Sequence, residues 1–481
     1  MSVTQVPRVL LAPDLSISRV VTGLWQIADL ERDARALDLD KAALAMEPYV
    51  DAGLSTFDMA DHYGSAEDIA GIFGHRAERL TKWTPKPGPI SRDDARTAVE
   101  RSVRRLKTDA IDLLQFHAWT YADPSWLDGL FHLQDLKREG LIRNLGVTNF
   151  DTAHLRIALR SGLPIVSNQV SFSLLDSRPL GPMTDLCVKH DVRLLAYGTL
   201  LGGFMSERWL GREEPEWELL DTWSQMKYGR FIRAAGGWEV FQHLLGSVAE
   251  VAHKHDVPIS AVAGRAILDR EATAAIIVGA RLSKSAHLDD TVRLFTLTLD
   301  DEDRKTLAKA QKRLTPIPGD CGDEYRKPPF LTASGDLSHH FDAMPKPYPV
   351  KPGKNGRTVV LSGTAWEPLA GFSRAHRLDD RIWVSGTTAT HDDRAIGGHD
   401  ARSQFDFIID KIEGALISLG ATLDDVVRTR VYVRHVYDWE DVARAHGDRF
   451  RHIMPANTLV QADLVGDEYL VEVEAEAVVA E

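Results

Sequence analysis

Between Ile17 and Leu314 the chain repeats one pattern eight times: a short run of β-formers, then a longer stretch of helical periodicity. The runs are RVVTGL, LSTFDMA, RLTKW, AIDLLQFH, IRNLGVT, IVSNQVSF, VRLLAYG and AAIIVGA, and the helical patterns cover 40–52, 91–107, 125–140, 151–161, 181–190, 236–256 and 283–294. Strands joined through helices lie parallel, because a parallel crossover needs a connection of about a dozen residues or more. Eight units in a block of this length fit a closed (β/α)8 TIM barrel better than an open doubly wound sheet. No G-x-G-x-x-G follows the first run, which weakens the open-sheet reading further. The expectation is an α/β barrel over residues 1–315.

The barrel pattern stops where proline accumulates. Eight prolines fall between Thr315 and Asn355, at 316, 318, 328, 329, 345, 347, 349 and 352. Proline breaks helix and ladder alike, so residues 316–355 read as a linker or as an ordered strap over the surface. Strand patterns return over 356–481: TVVLSG, RIWVSGT, VVRTRVYVRH, TLVQADLV and YLVEVEAEAV, with helical stretches at Asp400–Leu419 and Trp439–His452. That is a second, α+β domain with two helices on one mixed sheet. The net charge, 57 − 70 = −13, draws the surface towards neither nucleic acid nor anionic lipid. Two cysteines exclude a disulfide scaffold, and no apolar run nears the roughly 20 residues of a membrane span. With no signal-peptide pattern at the N-terminus, the expected setting is the cytoplasm.

In a barrel of this kind the chemistry sits at the C-terminal ends of the strands. Read in order, those ends carry Asp58, Lys82, His117, Thr148–Asn149, Gln169, Tyr197 and Gly279–Ala280–Arg281. Any one alone reads as a solvated strand end; together they point to a single pocket. Tyr63 follows Asp58 in FDMADHYG. A phenol with a pKa near 10 is a poor acid at neutral pH unless an ammonium favours its anion, and a carboxylate holds that ammonium in place. Lys82 and Asp58 can supply these groups, and His117 can hydrogen-bond a substrate carbonyl. The set suits protonation of an oxygen while a hydride reaches the adjacent carbon. Trp25, Trp83 and Trp119 lie near strand ends and suggest an aromatic-walled substrate pocket, with packing of the barrel rim as the other reading. The long irregular stretch 200–235 at the same face is a candidate lid. His62, His75, His132, His154 and His190 have no evident partner spacing and read as surface or packing residues. Asp58, Asp61 and His62 would diverge along an extended segment, so no metal site is expected.

These residues carry a resemblance. FDMADHYGSAE, TKW, LLQFHAW, LGVTNF, NQVSF, LLAYGTLLGG and IIVGARL resemble, in order, the successive motifs of the aldo-keto reductase family. The resemblance implies a metal-free barrel using NADPH, or NADH, with Asp58, Tyr63, Lys82 and His117 as a catalytic tetrad. It further implies that Thr148, Asn149 and Gln169 hold the nicotinamide amide and that Tyr197 stacks on its ring. Gly198, Leu200, Gly279, Arg281 and Lys284 are the remaining candidates for holding the cofactor. Arg281 and Lys284 would meet a 2′-phosphate, which favours NADPH.

The second domain resembles the reactive-intermediate deaminase (Rid) family, with a chorismate-mutase-like fold, through GFSRAHRLDDRIWVSGTTAT, ALISLGATLDDVVRTRVYVRHVYDWE and PANTLVQADL…YLVEVEAEAV. The resemblance implies a homotrimer with ligand clefts between subunits. Where imine-hydrolysing members carry an arginine after Pro-Ala, this chain has Asn457, which lacks a charged fork for a carboxylate. Glu472 matches the family's cleft glutamate. The expected activity is interconversion of an aldehyde or ketone, or a sugar lactol, with its alcohol or lactone. A coupled imine hydrolase–reductase and a non-enzymatic cofactor sensor are the alternatives, and the second domain serves assembly, ligand binding or catalysis on an imine lacking a carboxylate.

Overall fold

The computed structural model describes residues 6–31, 36–282, 287–332 and 345–480. A hairpin, β1 (Arg8–Ala12) and β2 (Leu15–Ser18), precedes eight parallel strands. These are β3 (Val20–Gly23), β4 (Thr56–Asp58), β5 (Glu78–Trp83), β6 (Ile111–His117), β7 (Ile142–Thr148), β8 (Ile165–Ser171), β9 (Arg193–Tyr197) and β10 (Thr273–Gly279). They close into a barrel in sequence order, with β10 pairing β3. All eight expected runs form strands. The hairpin was not anticipated. It buries Leu11, Leu15 and Ile17 against the interior residues Val21, Leu80, Leu113 and Leu195, and Asn144 Nδ2 donates to Asp14 Oδ1 at its turn (3.0 Å). The end opposite the strand C-termini is thereby plugged, so the chemistry has one mouth.

Local signals set the helix limits. Ser91 and Asp94 form a capping box before Arg92–Arg105, and Asp151 caps Thr152–Arg160. The single helix expected over 40–52 is two, Leu39–Leu44 and Glu47–Asp51, because Pro48 starts the second.

In the second domain the sheet order is β11 (Val350–Pro352), β12 (Thr358–Val360), β13 (Ala375–Leu378), β14 (Arg381–Thr388), β19 (Val471–Val478), β17 (Val426–Val433) and β18 (Ala456–Gln461). A short hairpin, β15 (Thr390–His391) with β16 (Arg394–Ala395), stands apart. Only β17 and β18 pair in parallel. The helix Ala401–Ser418 is buried on nearly every side, with Phe405, Phe407, Ile408, Ile409 and Ile412 inaccessible. One side covers the sheet and the other meets the barrel helix Thr152–Arg160. A β-carbon on Gly414 would lie 2.2 Å from the Ala122 carbonyl, so this approach requires glycine. His154 Nε2 meets Asp410 Oδ2 at 2.8 Å and His391 Nε2 meets Asp128 Oδ1 at 2.7 Å across the same boundary. No helix among the described residues is long and apolar enough to cross a membrane.

Candidate functional site

The C-terminal ends of neighbouring strands bring Asp58, Lys82 and Gln115 together inside the mouth. Lys82 Nζ donates to Asp58 Oδ2 (2.6 Å) and to the Met59 carbonyl (2.9 Å). The other oxygen, Oδ1, accepts from Gln115 Nε2 (3.1 Å) and Gln169 Nε2 (2.8 Å). Four donated hydrogen bonds hold a buried ion pair that desolvation would otherwise make costly. Burial pulls the Lys82 ammonium below its ordinary value, against the opposing pull of Asp58. Tyr63, on the loop after β4, is partly buried, and its ring centroid lies 5.0 Å from Lys82 Nζ. Burial, then the Asp58 charge, push its phenol well above the ordinary range. His117 ends β6, 4% exposed, edge-on to Trp119 at 4.6 Å. Burial, then Arg326, lower its pKa to about 3, so the ring is neutral. Neither ring nitrogen has a hydrogen-bond partner among the described residues. A buried polar atom without a partner calls for a reason, and a ligand oxygen is one.

The expected nicotinamide group is also gathered. Thr148 Oγ1 donates to the Gln169 carbonyl (3.1 Å). Asn149 takes a left-handed conformation (φ 58°), which asparagine tolerates. The Tyr197 hydroxyl lies 2.7 Å from Asn149 Oδ1 and 3.1 Å from Glu324 Oε1. Asn149 Nδ2 and Gln169 Oε1 hold no hydrogen bond among the described residues, which leaves one donor and one acceptor, the complement of a carboxamide. Gly198 (φ 75°) must be glycine, since a β-carbon would lie 2.3 Å from the Tyr228 hydroxyl. Leu200 packs against the neighbouring helical cluster. Gly279 is exposed and Arg281 partly so at the end of β10, and Lys284 lies outside the described residues.

Of the three tryptophans, Trp25 stands against Tyr63 (4.8 Å) and Trp223 (5.6 Å), and Trp119 against His117. Trp83 corrects the expectation: it is buried in the core against Phe116 and does not wall the pocket. His154 is a second correction. It sits between Asp151 Oδ1 (2.6 Å) and Asp410 Oδ2 (2.8 Å), stacked on Tyr121 at 3.4 Å. Burial lowers its pKa, but the two carboxylates outweigh that and raise it to about 9.

Sequence reasoning missed the strap's part in the site. The short helix Asp323–Arg326, from the proline-rich stretch, lies across the mouth. Arg326 donates to the Ala118 carbonyl (3.0 Å) and to that of Asn149. Glu324 Oε2 accepts from Arg178 Nη1 (2.7 Å), whose other nitrogens hold Asp176. Burial raises the Glu324 carboxyl, yet Arg178 and then Lys227 bring it down to about 2. Tyr325 sets its ring 5.6 Å from His117. The only signal was charge inside CGDEYRKPP, and charge among prolines reads as solvated.

The second domain separates its candidates. Asn457 pairs in register with Thr429 and donates to its Oγ1 (2.9 Å) on the helix-covered side. Glu472 pairs with Tyr432, on the opposite face. Burial, then Glu474, raise the Glu472 carboxyl. One chain does not join the two residues.

A carboxylate-anchored lysine, a tyrosine and a neutral histidine at the mouth of a parallel barrel define a barrel enzyme equipped to move a proton at a bound oxygen. Residues 19–312 match the aldo/keto reductase family, and the chain belongs to it; it is an oxidoreductase. Residues 362–479 match the endoribonuclease L-PSP family. An uncharacterized oxidoreductase of Bacillus subtilis is 31% identical over 223 residues, 41% of this chain and 71% of that protein. An uncharacterized protein of Streptomyces coelicolor is 37% identical over 119 residues, 24% of this chain and 89% of its own length. A glycerol dehydrogenase from Gluconobacter oxydans superposes with TM-score 0.54 at 25% identity, over 66% of this chain and 98% of that one.

Proposed function

We propose that the barrel interconverts a carbonyl compound with its alcohol using NADPH, or NADH, with Tyr63 carrying the proton. The observation that carries this is the convergence of Asp58, Lys82, Tyr63 and His117 at one mouth, with both His117 nitrogens unpartnered. The cofactor, when bound, supplies or accepts the hydride. Asn149 Nδ2 would donate to its carboxamide oxygen and Gln169 Oε1 would accept from its nitrogen, with Thr148 alongside and Tyr197 against the ring. Gly198, Leu200, Gly279, Arg281 and Lys284 would hold the remainder. The neutral His117 donates to the substrate oxygen and orients it. Tyr63 gives its proton to that oxygen in reduction and withdraws it in oxidation. The Lys82 ammonium stabilises the phenolate that results, and Asp58 keeps Lys82 placed. The strap and the rings of Trp25 and Trp119 exclude water.

The test is Tyr63→Phe. Turnover, followed by nicotinamide absorbance over aromatic, aliphatic and sugar carbonyls, is expected to vanish while cofactor affinity stays within about twofold, roughly 0.4 kcal/mol. Full residual turnover would refute the assignment.

The second domain we propose to be an assembly and ligand-binding unit that forms a homotrimer. Separation of Asn457 and Glu472 onto opposite faces supports this, since only a neighbouring copy can bring such residues to one cleft. Sedimentation giving a monomer would overturn it.

A further inference from the structure

Gln115 lies in register with Lys82, one strand over, and has no exposed surface. Its Nε2 donates to Asp58 Oδ1 (3.1 Å), and its Oε1 accepts from Gln169 Nε2 (3.1 Å). Gln169 Nε2 also donates to Asp58 Oδ1, at 2.8 Å. Two amides and one carboxylate oxygen thus close a three-cornered set of hydrogen bonds. The strand β7 runs between those of the two glutamines, and at the level of Gln115 it carries Gly146. A β-carbon there would lie 3.3 Å from Gln115 Cγ and 2.5 Å from Ser167 Oγ. The intervening strand is therefore bare at the level from which Gln115 reaches across.

The chemistry of the three groups allows one arrangement. The carboxylate paired with Lys82 only accepts, so both amides must turn a nitrogen towards Asp58. The oxygen of Gln115 is then left for the second N–H of Gln169. With both of its N–H protons taken, Gln169 points Oε1 away from the cluster, and that oxygen holds no hydrogen bond among the described residues. Asp58 alone decides which end of the Gln169 amide faces inward, but a single hydrogen bond leaves the amide plane free to swing about it. The second bond, to Gln115, fixes the plane. Losing it would also strand a buried N–H, since Gln169 is 3% exposed. Asp58 itself has less need of Gln115: Oδ1 already holds the shorter bond from Gln169, and Oδ2 holds the Lys82 ammonium.

We propose that Gln115 is a positioning residue for the cofactor: through Gln169 it aims the one acceptor that selects a nicotinamide carboxamide by its N–H. This rests on the reading of Gln169 Oε1 as the partner of that nitrogen. Gln115 itself touches no reacting atom. The same contact ties the cofactor's side of the mouth to the proton-transfer side, because Asp58 carries Lys82 on its other oxygen and Lys82 Nζ lies 5.0 Å from the Tyr63 ring centroid. The carboxylate that anchors the ammonium and the amide that orients the nicotinamide are braced by one glutamine.

The test compares the oxidised nicotinamide dinucleotides with their 3-acetylpyridine analogues, which carry a methyl group in place of the carboxamide nitrogen. Both the phosphorylated and the unphosphorylated pair are titrated into the full chain, with quenching of tryptophan fluorescence as the signal. Wild type is expected to favour the carboxamide by about five- to tenfold, the yield of one buried hydrogen bond. Gln169→Leu should bring that ratio close to one, and Gln115→Met should bring it within about twofold. Adding Gln115→Met to Gln169→Leu should change the ratio no further, because Gln115 acts through Gln169. Should Gln115→Met not fold, Gln115→Asn, too short by one methylene to span both partners, is read in its place with the same expectation. A variant at 115 that keeps the wild-type ratio while Gln169→Leu loses it would overturn the proposal and leave the nicotinamide reading standing. So would a variant at 115 that weakens both dinucleotides equally, since that is what loosened packing does. Wild type binding neither pair would sink the nicotinamide reading and this assignment with it. The titration needs no turnover, so a failure of Tyr63-dependent chemistry is read separately.

Discussion

The two domains treat their polar residues in opposite ways. The barrel draws Asp58, Lys82, Gln115 and Gln169 from four strands into one hydrogen-bonded cluster at the mouth, with His117 buried at the same rim. The second domain, with its open sheet, leaves Asn457 and Glu472 facing away from each other. The difference is topological. In a closed parallel barrel every strand ends at the same rim, so residues far apart in sequence converge within one chain. In an open sheet alternate side chains diverge to two faces, and convergence needs a second surface.

The largest expected effect breaks the barrel's side of the contrast. Lys82→Met leaves Asp58 buried without its counter-ion and should cost about 3–5 kcal/mol of stability in denaturant unfolding, with turnover lost. Adding Asp58→Asn should restore most of that stability and none of the turnover; a stable, active single variant would contradict the account of the pair.

Next comes the boundary between the domains. His154 is held near pKa 9 by Asp151 and Asp410, above the roughly 6.5 of an unfolded chain. Because the folded value is the higher, its stabilisation is complete below about pH 6.5 and disappears as pH rises through about 9. The full shift corresponds to something on the order of 3 kcal/mol. Asp320, Arg326, Arg449, Tyr121 and Lys327 lie around the same group and share its field. Thermal unfolding of wild type and His154→Gln should differ most near pH 6 and converge above pH 9; a constant gap would remove the charge from the explanation.

A smaller effect is expected at the strap. Glu324→Gln keeps the shape but weakens one of Arg178's two ion pairs, at a cost of about 1–3 kcal/mol. Amide exchange across 320–327 should quicken, and the KM for cofactor should change more than that of a distant control such as Glu239→Gln.

The smallest effect tests the second domain. Asn457 is exposed, so Asn457→Arg should alter stability by no more than about 0.5 kcal/mol. Barrel turnover should be untouched, and any gain in hydrolysis of a carboxylated imine should vanish when Glu472→Gln is added. A change in barrel kinetics would show that the two regions are less separate than their geometry.

The eight barrel strands were legible because each is an unbroken β-rich run ending on a polar residue, and parallel strands buried on both faces read that way. The hairpin β1–β2 was not, since Pro13 and Asp14 interrupt it and its pattern is only four or five residues a side. Asp58, Lys82, Tyr63 and His117 were legible through chemistry that packing does not account for. His154, Arg326 and Glu324 were hidden because their partners lie at Asp410, Asn149 and Arg178, across distances in sequence that no spacing rule spans. Trp83 misled because a strand-end position does not fix which face an indole takes.

The strap joins the last barrel helix to the second domain through the covalent chain, and its middle is fastened across the mouth by Arg326 and Glu324. The covalent connection between the two domains therefore also supplies part of the rim of the first one's site, so a change in that stretch reaches the barrel mouth through Arg178, Ala118 and Asn149 without altering a single barrel strand.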